Sequence, residues 1–360
     1  GAVQNTNGAF IRNGFGGLYC CVKIGAAADY IRWAADAERT EDIVHFGVGR
    51  EHAFNFLDYT VNRVTDKTSG VDDVAHVLVE GMQVLEPAKA QRDAFFVPWG
   101  RELLKAEMTA LVIAYGRLDL RDLSEFLSTM PRDGNDIYAG DTFCSKTLRQ
   151  AWTRAQGTKD EETAESLTRF FHVDWANWAH ETRESIRATA QVVVNALCTE
   201  PLLTLFGKAT TVTPTDILGG KLVVVDIPIL LRERIGKIAN TIWKTSVQRA
   251  VLARPIPEYG KEASVRPVFI LADEAQFIVT SGDQLFVSSS REHRSVTFFA
   301  TQTINSLIDV IGEPATKSLL GGLRNAFVNR TSDADTAKWF RDSTHQVINQ
   351  GLNEGPTAWA

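Results

Sequence analysis

Short apolar runs recur along the chain, and each is continuous rather than alternating with polar residues. They are rich in Val, Ile and Phe, which is typical of strands buried on both faces of a parallel sheet. We predict a strand within each of these runs: GLYCCVK (Gly17–Lys23), DIVHFGV (Asp42–Val48), KLVVVDIP (Lys221–Pro228), PVFILADE (Pro267–Glu274), SVTFFATQ (Ser295–Gln302) and RNAFVNR (Arg324–Arg330).

Helical patterns separate most of these runs. They cover Ala26–Arg39, Arg232–Leu252 and Asp333–His345. Strands that alternate with helices indicate an α/β fold, in which helices cover both faces of a mainly parallel sheet.

The middle of the chain has a different pattern, with almost no strand signal between Asp72 and Glu200. Long amphipathic runs occur there instead, at Ala88–Tyr115, Arg121–Met130 and Trp175–Cys198. We therefore predict an all-α domain (72–200) inserted into an α/β core whose two parts are 1–71 and 201–360. The tryptophans at 175 and 178 lie on one helical face, and we interpret them as packing residues.

Composition limits the class of protein. Hydrophobic residues make up 44 % of the 360 positions and charged residues 23 %, as in ordinary soluble domains. A net charge of −6 argues against a surface that binds nucleic acid everywhere, so we expect any DNA contact to be local. There is no apolar run of about 18 residues and no signal peptide, so we expect no membrane span in this chain.

Cysteine and histidine spacing indicates no metal centre. The four cysteines show no C-x-x-C spacing, and we expect buried thiols in a reducing compartment. The seven histidines are scattered without a ligand motif, and we expect no zinc.

Two acids stand at the end of the apolar run VFILADEAQF. In nucleotide hydrolases a buried strand often ends on such a pair, at the sheet edge where ligands bind. Asp273 would then hold the Mg²⁺ shell, and Glu274 would orient the attacking water. The alternative is that two acids only solvate the end of a strand.

The next run strengthens the hydrolase interpretation, because SVTFFATQ ends in Gln302. An amide at the tip of a neighbouring strand can sense a γ-phosphate or the attacking water. Arg291 and Arg294 precede this strand and could face a neighbouring subunit, where an arginine stabilises transition-state charge. The alternative for both arginines is a solvated surface charge.

These residues carry a resemblance to a family. The ordered segments DEAQ, R-x-x-R, VTFFATQ, TINSLIDVIG and LRNAFVNRTSDADTAKWF resemble the second half of the motor domain of type IV coupling proteins. These are TraG/TraD-like conjugative DNA-transfer ATPases of the FtsK–HerA superfamily. Upstream, GGLYCCVK, FNFLDY and GGKLVVVDIP resemble earlier elements of the same domain, so the resemblance covers nearly the whole chain.

The resemblance implies a RecA-like motor domain with an inserted all-α domain, and homo-hexameric rings that use ATP and Mg²⁺. It implies single-stranded DNA, relaxase or secreted proteins, and a type IV secretion channel as partners. By matching motif, Asp273 and Glu274 take the Mg²⁺ and water roles, and Gln302 takes the sensor role. Arg291 has the spacing of the trans arginine, and Arg294 is the weaker choice.

Two departures from the family pattern stand out. No G-x-x-x-x-G-K-[ST] phosphate loop occurs in the sequence, and in the family it would precede AVQNTNGAFIRNG. The chain begins GAVQNT without an initiator Met, so we expect a fragment whose phosphate loop lies upstream and which binds ATP poorly by itself. The usual D-x-K-G is replaced by CVKIG, without the acid, which leaves Lys23 with no assigned role.

Three functions therefore remain open at this point. The first is an ATP-driven DNA translocase of conjugation, at the cytoplasmic face of the inner membrane if upstream membrane helices exist. The second is a catalytically silent adaptor or substrate receptor with the same fold, which the missing phosphate loop favours if the chain is complete. The third is a HerA-like DNA-processing motor, which the helical insertion argues against.

Overall fold

The computed structural model describes residues 2–64, 66–87, 95–131, 137–328 and 330–351. Its strands form one parallel sheet in the order β2–β3–β1–β4–β5. The strands are β1 (Gly16–Cys20), β2 (Ile43–Gly47), β3 (Leu222–Asp226), β4 (Val268–Ala272) and β5 (Ser295–Phe299). This confirms the α/β fold class and five of the six predicted strands.

The prediction of a sixth strand at RNAFVNR is wrong. Residues 324–328 form no strand, and the Phe327 side chain is 66 % exposed. The segment has only three consecutive apolar residues, and none of the five strands pairs with it. A strand without a partner leaves its backbone N–H and C=O groups to solvent, so an apolar run alone does not produce one. Asn329 lies outside the described residues.

Helices occupy most of the rest of the described chain. They are α1 (Ala2–Arg12), α2 (Ala26–Ala35), α3 (Phe56–Asn62), α4 (Lys67–Leu85), α5 (Phe96–Tyr115), α6 (Leu120–Thr129), α7 (Phe143–Ala155), α8 (Glu161–Arg169), α9 (His180–Leu197), α10 (Leu202–Gly207), α11 (Pro214–Leu218), α12 (Glu233–Ala253), α13 (Asp283–Ser289), α14 (Asn305–Ile311), α15 (Glu313–Gly322) and α16 (Ala334–Gly351). None of these helices is both long and apolar enough to cross a membrane within the described residues.

Helices cover both faces of the sheet. Helices α1 and α2 pack on one face, where Tyr19 of β1 stacks on Tyr30 of α2 with ring centroids 4.4 Å apart. Helix α12 packs on the other face together with much of the helical middle of the chain. The sheet is therefore buried on both sides, which explains why its strands are continuously apolar.

Glycine at the start of β1 is required by close packing. A Cβ atom at Gly17 would lie 2.1 Å from the ring of Phe269, which is its register partner on β4. The Phe269 ring fills that space and also meets Tyr19 edge-on at 5.1 Å. Gly17 thus leaves the space that the Phe269 ring occupies beside the central strand.

The described residues between β2 and β3 contain no strand, as predicted. Trp175 is buried, and Trp178 packs edge-on against Trp99 at 4.6 Å, which confirms that both predicted tryptophans are packing residues. Helix α4 packs along α12, so the helical middle shares one hydrophobic core with the sheet. The domain boundaries at 72 and 200 remain predictions, and the predicted helical residues 88–94 lie outside the described ones.

A fully buried ion pair fixes the segment that follows β4. The Lys244 ammonium of α12 is paired with the Asp283 carboxylate and donates to the Ile278 carbonyl oxygen at 2.7 Å. Asp283 also accepts hydrogen bonds from Gln248 Nε2 at 2.6 Å and from the Thr280 amide at 2.8 Å. Because both charges are unexposed, loss of either one would leave the other uncompensated.

Helix α4 supplies the next contacts to this segment. The Glu80 carboxylate is buried next to Gly282, where an added Cβ would lie 3.0 Å from its oxygens. Burial raises the pKa of Glu80 to about 7, although the nearby Lys244 ammonium acts in the opposite direction. Gln83 accepts a hydrogen bond from Ser281 at 3.1 Å. The helical middle of the chain therefore contacts the segment that begins just after the paired acids.

A second buried carboxyl group has no such partners. Glu107 of α5 is fully buried, and neither of its oxygens is hydrogen-bonded to any residue that the structure describes. Burial raises the pKa of this carboxyl well above its ordinary value. The proton is thus held more tightly in the folded than in the unfolded protein. Its cost to folding is absent at acid pH and grows as the pH rises above 4.5.

Replacement of Lys244 by Met is expected to lower the free energy of unfolding by about 3–5 kcal/mol, because Asp283 is left buried and unpaired. Urea denaturation at pH 7 measures the change. The double variant Lys244→Met/Asp283→Asn should recover part of the loss. The control Lys317→Met removes an exposed pair with Glu313 and should leave the stability nearly unchanged, because solvent screens that pair. A Lys244→Met loss as small as the control's would contradict this account.

Replacement of Glu107 by Leu is expected to stabilise the protein by about 1–3 kcal/mol at pH 9, because it removes a buried carboxyl group without hydrogen-bond partners among the described residues, whose cost to folding is largest at high pH. The gain should shrink towards about pH 4, below the ordinary pKa of 4.5, where the wild-type group is mostly protonated in both states. Glu107→Gln keeps a polar group at the site but cannot ionise, so it should remove the pH dependence with a smaller gain. Urea denaturation at both pH values tests this, and a pH-independent gain for Leu would show that ionisation is irrelevant.

Candidate active site at the carboxyl edge of the sheet

The hydrogen-bond ladder between β4 and β5 becomes irregular at the paired acids. The Ala300 amide donates to Ala272 O at 2.9 Å, and Ala300 O accepts from the Ala275 amide at 2.7 Å. In a regular parallel ladder the second donor would be the amide of residue 274. One extra residue is therefore accommodated, and Glu274 adopts a left-handed conformation with φ 59° and ψ 53°.

The Glu274 side chain points into a cluster of donors. Its Oε1 lies 2.8 Å from Lys23 Nζ, and its Oε2 accepts from Gln276 Nε2 at 2.9 Å. Gln302 Nε2 lies 3.2 Å from both oxygens. Lys23 Nζ also lies 2.9 Å from Asp273 Oδ2, so one ammonium bridges the two acids. The structure thus brings together Asp273, Glu274 and Gln302, as the sequence predicted.

These contacts set the charge of the site. Burial raises the pKa of Glu274, but the hydrogen bonds from Lys23, Gln276 and Gln302 outweigh it, so the pKa lies below its ordinary value. The hydrogen bonds to Glu274 and then Asp273 raise the pKa of Lys23 in return. Glu274 is therefore held as a carboxylate at neutral pH. A carboxylate can accept a proton or a hydrogen bond from water, which a general base requires.

The polar side chains after β5 are themselves held in place. Thr301 Oγ1 donates to Gln276 Oε1 at 3.0 Å, which orients the amide that contacts Glu274. Two residues after Gln302, the Ile304 amide donates to Thr336 Oγ1 at 3.0 Å. The start of α16 therefore anchors the segment that carries Gln302.

Arg291 and Arg294 lie at the opposite edge of the sheet. Both precede β5, whose five residues span about 16 Å, so neither belongs to the acid cluster of the same chain. Arg291 is exposed. Arg294 closes a turn with φ 54°, and its carbonyl oxygen accepts from the Val268 amide and from Arg254 Nη2, each at 3.0 Å. The trans role predicted for Arg291 stays a prediction, and Arg294 acts in this structure as a turn residue.

Sequence reasoning missed Lys23 as a site residue. It follows β1, which neighbours β4 in the sheet, and the carboxyl ends of parallel strands share one edge. The signal was present in CVKIG, where a lysine comes directly after a buried strand, but the missing acid of the family pattern hid it. Gln276, in DEAQF, was also left without a role.

The residues fit part of a Mg²⁺–nucleotide site. The Asp273 side chain is one-third exposed and offers the oxygen ligands that Mg²⁺ prefers, to be completed by water and phosphate. The phosphate-binding half is not supplied by these residues, since no glycine-rich loop with a Lys–Ser/Thr ending occurs in the sequence. The cluster is therefore suited to hold a metal shell and to orient water.

Comparison with known proteins gives structural matches only. No protein-family model and no curated protein matches the sequence. The plasmid coupling protein TrwB in complex with the ATP analogue ADPNP matches with a TM-score of 0.59 at 14 % identity, over 89 % of this chain and 65 % of TrwB. The bacterial conjugative coupling protein TrwBdeltaN70 in its unbound form matches with 0.57 at 13 %, over 89 % and 63 %.

A third TrwB structure, in complex with ADP and Mg²⁺, matches with a TM-score of 0.52 at 12 % identity, over 87 % of this chain and 70 % of TrwB. The chain spans 63–65 % of the length of the first two structures. Identity this low bears on the fold alone. The chain therefore has the RecA-like α/β fold of the conjugative coupling protein TrwB, which confirms the fold that the sequence resemblance predicted.

Proposed function

We propose that the chain is the greater part of an ATP-driven motor that delivers single-stranded DNA, with its relaxase, to a type IV secretion channel in conjugation. The observation that carries the proposal is the Asp273–Glu274 pair, with Gln302 on it, at the end of a central strand in a TrwB-like fold. TrwB itself has been solved with an ATP analogue and with ADP and Mg²⁺, which supports the same cofactors here.

In this proposal each residue has one task. The Asp273 carboxylate, which is one-third exposed, would hold Mg²⁺ through water, and the ion would neutralise charge on the nucleotide phosphates. Glu274 orients and polarises the attacking water. Gln302, bonded to both oxygens of Glu274, links the state of the γ-phosphate to the position of that base.

If a strand and a phosphate loop precede helix α1, the sheet topology supports the following position for them. Two crossovers connect strands of the sheet. One runs from β1 through α2 to β2, and the other runs in the opposite direction from β3 through α12 to β4. Because α2 and α12 lie on opposite faces of the sheet, the two crossovers have the same hand. Helix α1 lies on the face of α2, so a strand before it, with that hand, belongs on the β4–β5 side of β1. The open position there is the outer edge of β5. Its loop would then reach the edge that carries Glu274 and Gln302.

The ring assembly is proposed from the arginines at the other edge. Arg291 is exposed and far from the acids of its own chain, so it could complete only the site of a neighbouring subunit. Such an arginine stabilises transition-state charge. A homo-hexamer places one subunit's arginine edge against the next subunit's acid edge.

One other candidate is a silent adaptor that keeps the fold and receives protein substrates, which requires that the whole protein lacks a phosphate loop as this sequence does. ATP hydrolysis with and without single-stranded DNA, measured on this chain and on a form extended at its amino end through a phosphate loop, distinguishes the two. Hydrolysis by the extended form alone, stimulated by DNA, supports the motor. If neither form hydrolyses ATP, the acids are structural and the adaptor is the function to pursue.

In a form that carries a phosphate loop, Glu274→Gln should lower ATP turnover by about 10²–10⁴-fold, because the water loses its base. Nucleotide affinity should be retained, since the substitution leaves Asp273 intact. Turnover is measured by phosphate release and affinity by a fluorescent analogue. The control Asp226→Asn changes the acid that ends β3 at the same edge, where it pairs with His45, and should leave turnover near wild type. Wild-type turnover in Glu274→Gln would remove this residue from the base role.

In the same form, Arg291→Ala should lower turnover by about 10³–10⁵-fold, and only in assembled rings. Mixing Arg291→Ala with Glu274→Gln subunits tests the trans role. Some interfaces in mixed rings combine an intact Glu274 with an intact Arg291 from the neighbour, so activity should reappear. Arg32→Ala, which removes another exposed arginine, serves as the control and should leave turnover near wild type. If mixing restores nothing, Arg291 does not act across the interface.

A further inference from the structure

Lys23 occupies the space between the two acids. Its Nζ lies 2.9 Å from Asp273 Oδ2 and 2.8 Å from Glu274 Oε1, at the mouth of the site, with about half of the side chain exposed. A divalent cation held by the Asp273 carboxylate would lie within a few ångströms of this ammonium. An ammonium and a metal ion at hydrogen-bonding distance from the same carboxylates repel each other, so they compete.

Lys23 also completes the set of donors around Glu274. A carboxylate has about four lone-pair positions, two on each oxygen. Oε1 is contacted by Lys23 and Gln302, and Oε2 by Gln276 and Gln302. With these four contacts in place, Glu274 has no free position for water. One donor has to leave before the carboxylate can polarise an attacking water molecule.

Of the three donors, Lys23 is the one that can leave at small cost. Gln276 is held by Thr301, and Gln302 follows directly in the same segment. Lys23 lies instead in the loop between β1 and α2, next to Ile24, which is 68 % exposed. Gly25 ends this loop with φ 84° and has no atom within 4 Å of its Cβ direction. The loop can therefore move without opening the core.

We propose that Lys23 is a latch on the paired acids. In the resting state it holds Asp273 and Glu274 and keeps both a metal ion and the attacking water away, and it withdraws when the Mg²⁺–nucleotide complex binds. The latch rests on the proposed function for its biological meaning. Its physical core, the competition between an ammonium and a divalent cation, can be tested without any hydrolysis.

The test is Mn²⁺ binding to the present chain without nucleotide, followed by the electron paramagnetic resonance signal of free Mn²⁺. Lys23→Met should bind Mn²⁺ at least about tenfold more tightly than wild type, because a competing charge at contact distance is removed. Lys23→Arg keeps the charge and should retain the weak wild-type affinity. Lys221→Met is the matched control, because Lys221 is similarly exposed and contacts Asp42 at the opposite edge. It should change nothing.

Adding Asp273→Asn to Lys23→Met should abolish the tight site, which places the ion at this acid. Equal Mn²⁺ affinity in wild type and Lys23→Met overturns the latch, and so does a tight site that survives Asp273→Asn. If Lys23→Met does not fold, Lys23→Gln gives the same comparison.

The hydrolysis experiment is separate from this test. A failure of ATP hydrolysis in every form would contradict the motor proposal and would leave the Mn²⁺ result unaffected. In a form that does hydrolyse ATP, Lys23→Met should show higher turnover without DNA and a smaller stimulation by it.

Discussion

One irregular step between two strands determines the geometry of the candidate site. Ala300 forms backbone hydrogen bonds with Ala272 and Ala275, whereas a regular parallel ladder would use residues 272 and 274. The extra residue is accommodated by the left-handed conformation of Glu274. Such a conformation costs of the order of 1–3 kcal/mol for a residue with a side chain. It persists because Glu274 then meets Lys23 and Gln302, which lie beyond the ends of the two strands that flank β4. A regular strand end would not bring these groups together.

The strain at Glu274 requires a rigid support, and the buried Lys244–Asp283 pair supplies it. Lys244 lies on the helix that covers the sheet face, and its ammonium binds the Ile278 carbonyl four residues after Glu274. The irregular segment around Glu274 is thus fixed on one side by the hydrogen bonds to β5 and on the other by an ion pair with no exposure to solvent. Two contacts from α4, through Glu80 and Gln83, extend the same support into the helical middle of the chain.

Much of this arrangement could be predicted from the sequence, because strands buried on both faces appear as continuous apolar runs. Five apolar residues, Val268 to Ala272, followed by Asp273 and Glu274 predicted both the strand and the site, and the tip of the next run predicted Gln302. RNAFVNR was predicted as a strand from its apolar residues alone, since sequence does not show whether a neighbouring strand is there to pair with it. Lys23 was missed because its partners lie 250 residues away, and only the order of strands in the sheet brings them together.

Lys23 also compensates the charge of the two acids. Two adjacent carboxylates in a protein of net charge −6 repel each other, so a cation beside them lowers their energy. β1 and β5 flank the strand that carries the acids, and they supply different groups: a cation from the first and a neutral amide from the second. The amide can stay when a metal ion takes over the compensation, because it carries no charge, whereas the ammonium cannot. The same sheet order that assembles the site therefore assigns the movable part to β1 and the fixed part to β5.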